Sequence, residues 1–245
     1  MLKIENLSAS YGKKVVLFDL SAELKSGRFT AILGRNGSGK SSLLSCIGGI
    51  KSYSGKILLD ERNISSIPSR ERAKKLSYLP QNLPITQFTV RETVAFGREP
   101  YASFKLSEQD IEIIDNSIEK CGISHLKNKK LGEISGGERQ MAYLAMTLAQ
   151  DANVIMLDEP TTYMDAPHAR QFLGILKEVV TNGKSVVAVM HDLTQAATYA
   201  DDIILIDSGH LVFSGTKEKC LEAKAIEKVM EVEGRVLEDG RVVFI

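Results

Sequence analysis

The sequence predicts an α/β protein whose core is a mostly parallel β-sheet with helices on both faces. Three observations lead to this prediction. Short apolar runs alternate with helical patterns after residue 150, as in parallel strands joined by crossover helices. A glycine-rich loop joins an early apolar run directly to a helical segment. From residue 81 to 150 the pattern is mostly helical, which predicts an inserted helical subdomain.

The individual elements follow from apolar periodicity and from the residues at their ends. In the helical stretch, Ser107 can cap a helix that places Ile111, Ile114 and Ile118 on one face, and a second helix follows Gly137. The predicted strands are Leu2–Leu7, Val15–Leu24, Phe29–Leu33, Lys56–Leu59, Leu76–Leu79, Val154–Leu157, Ser185–Met190, Ile203–Ile206, Arg235–Leu237 and Val242–Phe244, the last two joined by a turn at Glu238-Asp239-Gly240. The other predicted helices are Gly39–Ile47, Pro167–Val180, Asp192–Tyr199 and Ala223–Val229.

Composition excludes several classes of protein. The chain has 245 residues, 43% hydrophobic and 25% charged, with a formal net charge of +0, so no broad basic field attracts nucleic acid. Apolar runs such as Ile203–Ile206 are too short to cross a bilayer, and the N-terminal residues do not form a signal peptide. Cys46, Cys121 and Cys220 are predicted to be unpaired thiols in a reducing compartment.

The run Gly34-Arg35-Asn36-Gly37-Ser38-Gly39-Lys40-Ser41 matches the phosphate-binding pattern G-x-x-x-x-G-K-[ST]. Its glycines let backbone N–H groups turn towards phosphate oxygens, and the helix that follows adds the positive end of its dipole. Lys40 would bridge the β- and γ-phosphates, and the Ser41 hydroxyl would bind Mg²⁺. A glycine turn that binds nothing is the alternative, but the position between a strand and a helix argues against it.

A pair of carboxylates ends a later apolar run, at Asp158-Glu159. Asp158 would hold Mg²⁺, and Glu159 is the natural group to polarise an attacking water molecule. Acidic pairs at strand ends are usually only solvated, so this interpretation depends on the glycine loop upstream.

A second phosphate-cradling loop, Ser135-Gly136-Gly137, opens another helix. One nucleotide needs only one such loop, so the second one requires an explanation. The run Ile134–Glu138, Ile-Ser-Gly-Gly-Glu, resembles the LSGGQ signature loop of ATP-binding-cassette (ABC) ATPases. The other motifs of that family follow in order over essentially the whole chain.

The resemblance implies a set of site residues. Tyr11 matches the aromatic residue that stacks on adenine, Gln81 the Q-loop glutamine, Asp165 the D-loop and His191 the switch histidine. The implied catalytic residues are Glu159, His191, Lys40 and Gln81, and the implied Mg²⁺ ligands are Ser41, Gln81 and Asp158. The implied ATP-binding residues are Tyr11, Gly34, Arg35, Asn36, Gly37, Ser38, Gly39, Lys40, Ser41, Ser42, Ser135, Gly136, Gly137, Glu138 and Asp165.

The resemblance also implies an architecture and an assembly. It divides a single ABC ATPase domain, 1–245, into a P-loop NTPase core of the RecA type at 1–81 and 146–245, with an antiparallel β subdomain, and a helical subdomain at 82–145. Family members pair head to tail as ATP-dependent dimers, in which the signature loop of one chain closes on the γ-phosphate held by the other. The second loop would then serve the partner's nucleotide.

Three stretches look like the ATPases of iron-siderophore, haem and cobalamin importers: Gly97–Tyr101, Glu159–Asp165 and His191–Asp201. This resemblance implies a prokaryotic importer whose membrane spans lie on separate permease subunits, with a substrate-binding protein as an indirect partner. The chain would then be peripheral, at the cytoplasmic face of the cell membrane. The permease would contact the region 82–90, with Leu83 and Phe88 as apolar contacts.

Alternatives stay open at this point. One is an importer ATPase for an amino acid, phosphate or metal ion; others are an ABC protein of DNA repair or translation and an Fe–S assembly ATPase. Met141 and Met146 stand where the family commonly has arginine, and Glu138 replaces the commoner glutamine. None of these positions changes the expected ATP chemistry, and the cargo is not set by the motifs.

Overall fold

The structure, a computed structural model, describes residues 1–101, 105–162, 164–238 and 241–245. These residues form two compact units, the first made of 1–67 with 180–245 and the second of 68–179. The predicted helical subdomain, 82–145, lies inside the second unit, and its bounds stay a prediction. Within the described ranges no helix is long and apolar enough to cross a membrane.

Strands and helices alternate over most of the described chain. Strands β1 to β12 are Leu2–Tyr11, Lys14–Leu24, Phe29–Leu33, Ser54–Leu59, Arg62–Asn63, Leu76–Leu79, Val154–Asp158, Ser185–Val189, Asp202–Asp207, His210–Thr216, Gly234–Val236 and Val242–Phe244. Helices α1 to α9 are Lys40–Ile47, Ser69–Ala73, Val90–Ala95, Glu108–Lys120, Gly136–Ala149, Ala166–Thr181, Leu193–Tyr199, Lys217–Glu222 and Ala225–Met230. The predicted α/β class is confirmed.

The first unit combines a parallel sheet with an antiparallel one. In the parallel part, β3 pairs with β8 on one side and with β9 on the other, and β10 adds an antiparallel edge to β9. Every residue of β3 and β8 is buried, as is usual for strands of a parallel sheet covered on both faces. In the antiparallel part, β1 pairs with β2 and β4, and β4 pairs with the short β5.

The second unit contains the parallel pair β6 and β7 together with α3, α4 and α5, which pack against one another. Each of these three helices begins with a capping box, in which the first side chain and the residue three positions later satisfy each other's backbone N–H groups. The pairs are Thr89 with Glu92, Ser107 with Asp110, and Ser135 with Glu138. These local signals therefore fix where the helices start.

Most predicted elements are found within about two residues of their expected ends, a normal scatter for helix boundaries. The predicted helix at 223–229 corresponds to α9, which begins two residues later than expected because Lys224 adopts φ 49° and separates α8 from α9. Ile111 was expected on the buried face of α4 but is 40% exposed, whereas Ile114 and Ile118 are buried. The predicted strands β11 and β12 form an antiparallel pair; Asp239 and Gly240 of their predicted turn lie outside the described residues.

Candidate functional site

The glycine loop lies between β3 and α1, at the carboxyl end of a buried parallel strand. Gly34, Gly37 and Gly39 all adopt positive φ, at 149°, 78° and 104°. A Cβ atom on Gly34 would lie 2.0 Å from the carbonyl oxygen of Ile206, and one on Gly39 would lie 2.6 Å from the Leu17 side chain. Only glycine fits these two positions, so the loop closes tightly and leaves its N–H groups to bind an anion.

Lys40 is 5% exposed and lies inside this loop. Its Nζ atom donates hydrogen bonds to the carbonyl oxygens of Gly34 and Arg35, at 2.9 and 3.0 Å. The Ser38 hydroxyl is buried nearby and has no hydrogen-bond partner within the described part of the chain. Buried polar groups are normally hydrogen-bonded. An anionic oxygen of a ligand could accept a hydrogen bond from this hydroxyl. The loop therefore has the chemistry of a phosphate site.

Arg35 takes part in the loop through its backbone, while its side chain points elsewhere. The Nε atom donates to the carbonyl oxygen of Val229 at 2.7 Å, and the guanidinium forms an ion pair with Glu231 at 2.5 Å. Both residues lie at the end of α9. The sequence match placed Arg35 among the nucleotide-binding residues, and these contacts leave only its backbone for that role.

An open cavity of about 510 Å³ adjoins the first turn of α1. Tyr11, at the end of β1, borders the cavity and is 71% exposed. Lys51 lies over its ring, with Nζ 3.5 Å from the ring centroid. Ser41 and Ser42 form another part of the wall. The structure thus brings Tyr11 together with the end of the glycine loop in the first unit.

His191 also belongs to the first unit, where it follows β8 and is exposed. The next residue, Asp192, caps α7 by accepting a hydrogen bond from the N–H of Gln195 at 2.9 Å. The predicted switch histidine therefore lies between the end of a parallel strand and the start of a helix, in the unit that holds the glycine loop.

The second unit brings Gln81, Asp158 and Glu159 together. Asp158 ends β7, is 6% exposed and accepts a hydrogen bond from Tyr78 Oη at 3.5 Å. The side-chain amide of Gln81 donates to the Glu159 carboxylate. Glu159 has φ 51°, a left-handed conformation that side-chain-bearing residues adopt rarely and often at functional sites. These contacts place two carboxylates and an amide at one end of a parallel strand.

The second glycine loop begins α5. Ser135 and Gly136 are exposed, and the Ser135 hydroxyl accepts a hydrogen bond from the N–H of Glu138 at 3.2 Å. The N–H and hydroxyl of Ser135 donate to the Glu138 carboxylate, which lowers the pKa of that group. The backbone N–H groups at the helix start can therefore face an anion outside the chain.

Two further contacts in the second unit were not predicted. Gln140 donates to the carbonyl oxygen of Pro160 at 2.8 Å, which connects α5 to the residue after Glu159. His168 donates its backbone N–H to Asp165, at 3.0 Å, and its Nδ1 atom lies 2.6 Å from the same carboxylate oxygen. These bonds lower the pKa of Asp165. Tyr163, part of the expected D-loop, lies outside the described residues.

The residues predicted to bind Mg²⁺ include one oxygen donor in each unit, Ser41 in the first and Asp158 in the second. No group of three or more His, Cys, Asp or Glu side chains that could hold a metal occurs in the described ranges. Mg²⁺ keeps water ligands and is typically bound by one or two protein oxygens together with substrate phosphates. The Ser41 hydroxyl and the Asp158 carboxylate are oxygen donors of the kind it prefers.

A parallel strand, a tight glycine loop and a helix around a buried lysine define a nucleotide-binding protein of the P-loop class. The family model described as "ABC transporter" matches residues 17–162, which is more than half of the sequence. The chain belongs to the ABC transporter family, and it is an ABC-type ATPase that binds ATP.

Individual relatives agree with this assignment. The chain is 37% identical over 235 residues to the petrobactin import ATP-binding protein YclP of Bacillus subtilis, covering 95% of this chain and 93% of the relative. It is 37% identical over 240 residues to the hemin import ATP-binding protein HmuV of Pseudomonas aeruginosa, with the same coverage. In fold it matches a dimeric post-hydrolysis structure of the ATP-binding cassette MJ0796 bound to ADP and Pi, with a TM-score of 0.80, 24% identity and coverage of 89% and 99% of the two chains.

Proposed function

We propose that this chain is the ATP-hydrolysing subunit of a prokaryotic importer that takes up an iron-siderophore, haem or cobalamin through separate permease subunits. The main support for this proposal is the contact between Gln81 and Glu159, next to Asp158 in the sequence. The same chain also contains the glycine loop that holds Lys40. Two similar relatives are named for the import of petrobactin and hemin, which supports the choice of cargo class.

The catalytic roles follow from the chemistry of each group. Lys40 neutralises charge on the β- and γ-phosphates. Ser41 and Asp158 each offer an oxygen that would bind Mg²⁺, which would supply further charge neutralisation. Glu159 accepts a proton from the attacking water, and the Gln81 amide holds the Glu159 carboxylate in place. His191 interacts with the γ-phosphate. Tyr11 supplies a surface on which the base stacks.

The second glycine loop is assigned to a partner chain. We infer a head-to-tail homodimer in which Ser135, Gly136 and Gly137 face the γ-phosphate held by the other copy, while Glu138 caps the start of α5. Asp165 lies beside the same interface. The exposed start of α5 supports this role, since its N–H groups attract an anion. Loss of the γ-phosphate on hydrolysis removes that contact and loosens the dimer, which gives a two-state switch.

The permease contact is assigned to the second unit. Ile85, Phe88 and Phe96 are 65%, 46% and 50% exposed, and the rings of Phe88 and Phe96 are 5.1 Å apart. We name these three residues the apolar patch. Leu83, which was expected to contact the permease together with Phe88, is half-buried. A protein that docks there would hold the chain at the cytoplasmic face of the cell membrane, and the substrate-binding protein would be an indirect partner. The net charge of +0 argues against nucleic acid as a partner.

Replacement of the proposed base tests the catalytic part. Glu159→Gln keeps the size of the side chain and removes its basicity, so ATP binding stays at the wild-type level and turnover falls by about 100-fold or more. Glu112→Gln, an exposed glutamate on α4, is the matched control. Steady-state phosphate release and calorimetric ATP binding give the two readouts. Hydrolysis by the Glu159 variant near the wild-type rate would remove this residue from the mechanism.

Uptake by whole cells tests the cargo separately. A strain without this chain should lose uptake of a ⁵⁵Fe-labelled siderophore, ⁵⁵Fe-labelled haem or ⁵⁷Co-labelled cobalamin, and the Glu159→Gln variant should not restore it. Loss of uptake of an amino acid, phosphate or free metal ion instead would contradict the cargo class while leaving the ATPase assignment intact.

A further inference from the structure

Lys51 makes two contacts at the edge of the glycine loop. Its ammonium lies 3.5 Å from the centroid of the Tyr11 ring, within the range of a cation–π interaction. The same Nζ atom donates a hydrogen bond to Ser42 Oγ at 3.2 Å. Ser42 follows Ser41 in the first turn of α1. One side chain therefore connects the exposed tyrosine to the helix that begins at the phosphate loop.

The cavity beside these residues has the size of a ligand site. Its volume of about 510 Å³ lies within the range of roughly 300–1,000 Å³ that is usual for small-molecule pockets. Among the described residues that line it are the Tyr11 ring, the Lys51 ammonium and several serine hydroxyls, with no carboxylate. Such a wall offers an aromatic stacking surface together with hydroxyl groups that can donate and accept hydrogen bonds.

We propose that Lys51 is a positioning residue for the nucleotide base, which acts by holding the Tyr11 ring in place. This inference rests on the proposed role of Tyr11 and the glycine loop in ATP binding. The ammonium covers one face of the ring, and we assign the opposite face to the base. Without it, a tyrosine that is 71% exposed would sample several rotamers and would lose that freedom when the base binds.

The surroundings of Lys51 favour this role. The side chain is half-buried, and burial lowers its pKa. Partial removal of water strengthens a cation–π contact, because the ammonium then has fewer water molecules to compete with the ring. Its hydrogen bond to Ser42 fixes the position of the charge along the ring. The two contacts together restrict both Lys51 and Tyr11 before any ligand arrives.

Binding of ADP and of inorganic pyrophosphate to the purified full chain, measured by calorimetry, tests the proposal. Lys51→Met keeps the length of the side chain and removes its charge. It should weaken ADP binding about 3- to 10-fold and leave pyrophosphate binding unchanged, because pyrophosphate has no base to stack. Lys51→Arg keeps a cation that can lie over the ring and should stay within about twofold of wild type. Lys56→Met, an exposed lysine on β4, is the matched control.

A double-mutant cycle shows whether Lys51 acts through Tyr11. In a Tyr11→Ala background, Lys51→Met should have no further effect on ADP binding. Three results would overturn the proposal: equal weakening of ADP and pyrophosphate, which marks a phosphate contact; tighter ADP binding, which means that Lys51 occupies the place of the base; or no change. A wild-type chain that binds neither compound would instead reject the nucleotide site itself.

Discussion

At the scale of single residues, the phosphate loop depends on atoms that do not touch the ligand. Gly34 has φ 149°, and its Cα faces the carbonyl oxygen of Ile206 on β9. A neighbouring strand thus decides which residue can stand at the start of the loop. A side chain at position 34 would displace the loop backbone, and with it the N–H groups that face the phosphate.

Gly34→Ala should therefore disrupt both stability and binding. The added Cβ would lie 2.0 Å from the Ile206 oxygen, so the loop must move, and we expect a free energy of unfolding lower by about 2 kcal/mol or more and ATP binding at least tenfold weaker. Gly174→Ala is the control: in α6 its Cβ would meet nothing within 4 Å, and the change should stabilise the chain by about 0.5–1 kcal/mol. Urea unfolding and calorimetry measure the two effects. Unaltered ATP binding in Gly34→Ala would contradict the described loop.

Local sequence patterns predict the roles of some of these residues but not the contacts of others. The phosphate-binding role of the run from Gly34 to Ser41 could be predicted, because its own glycines permit the backbone conformation that the loop needs. The contacts of Arg35 could not, since Val229 lies 194 residues away along the chain. The same holds for Lys51, because a single lysine in the sequence gives no sign that its side chain lies over Tyr11.

At the scale of secondary-structure elements, α4 is held by a buried ion pair. Arg98 and Asp110 have side chains that are 6% and 9% exposed, with Nε 2.8 Å from the carboxylate, and Arg98 also donates to the carbonyl oxygen of Ala149 at the end of α5. The Ser107 hydroxyl and N–H also donate to Asp110, and together with Arg98 they lower its pKa to about 2. The start of α4 and the end of α5 are thus connected through one arginine.

Asp110→Asn should destabilise the chain in a pH-dependent way. The lowered pKa means that the carboxylate contributes its full stabilisation above its usual value of 3.8 and loses it as the pH falls through about 2. We expect a loss of about 2–4 kcal/mol at pH 7 and a smaller difference from wild type at pH 3.

Asp115→Asn provides the control on the same helix. Its pair with Arg91 is exposed, with side chains 48% and 42% accessible, so the change should cost less than about 1 kcal/mol. Urea unfolding at both pH values measures the effects. An equal loss of unfolding free energy in the two variants at pH 7 would contradict the claim that the Arg98–Asp110 pair stabilises the chain more because it is buried.

The starts of helices were predictable where a capping side chain is present, as at Ser107. The interruption between α8 and α9 was not, because lysine carries no signal for the left-handed conformation that Lys224 adopts. Apolar spacing correctly placed Ile114 and Ile118 in the core, but it could not tell that Ile111, on the same helix, is left exposed by the packing.

At the scale of the whole molecule, the family's motifs are divided between the two compact units. Tyr11, the glycine loop and His191 belong to the first unit, and Gln81, Asp158, Glu159 and the signature loop belong to the second. The order of these motifs along the chain was sufficient to identify the family. The Gln81–Glu159 bond could not be predicted from spacing, because the two residues are 78 positions apart.

The apolar patch should matter for transport and not for chemistry. Ile85→Asp places a charge on a side chain that is 65% exposed, which would prevent docking of an apolar permease segment. ATP hydrolysis by the isolated chain should stay within about twofold of wild type, while uptake by cells falls about tenfold or more. Ile111→Asp, at an exposed isoleucine on α4, is the control and should leave uptake unchanged. Normal uptake with Ile85→Asp would place the permease contact elsewhere.

The molecular mass of the chain in the presence of ATP tests the central claim, that the signature loop serves a partner's nucleotide. In a Glu159→Gln background, analytical ultracentrifugation should find an ATP-dependent dimer. Adding Ser135→Arg should leave ATP binding intact and keep the chain monomeric, whereas Ser107→Arg, which removes a similar cap from α4, should still dimerise. A Ser135→Arg protein that dimerises with ATP would contradict the account, because Ser135 would then be only a helix cap.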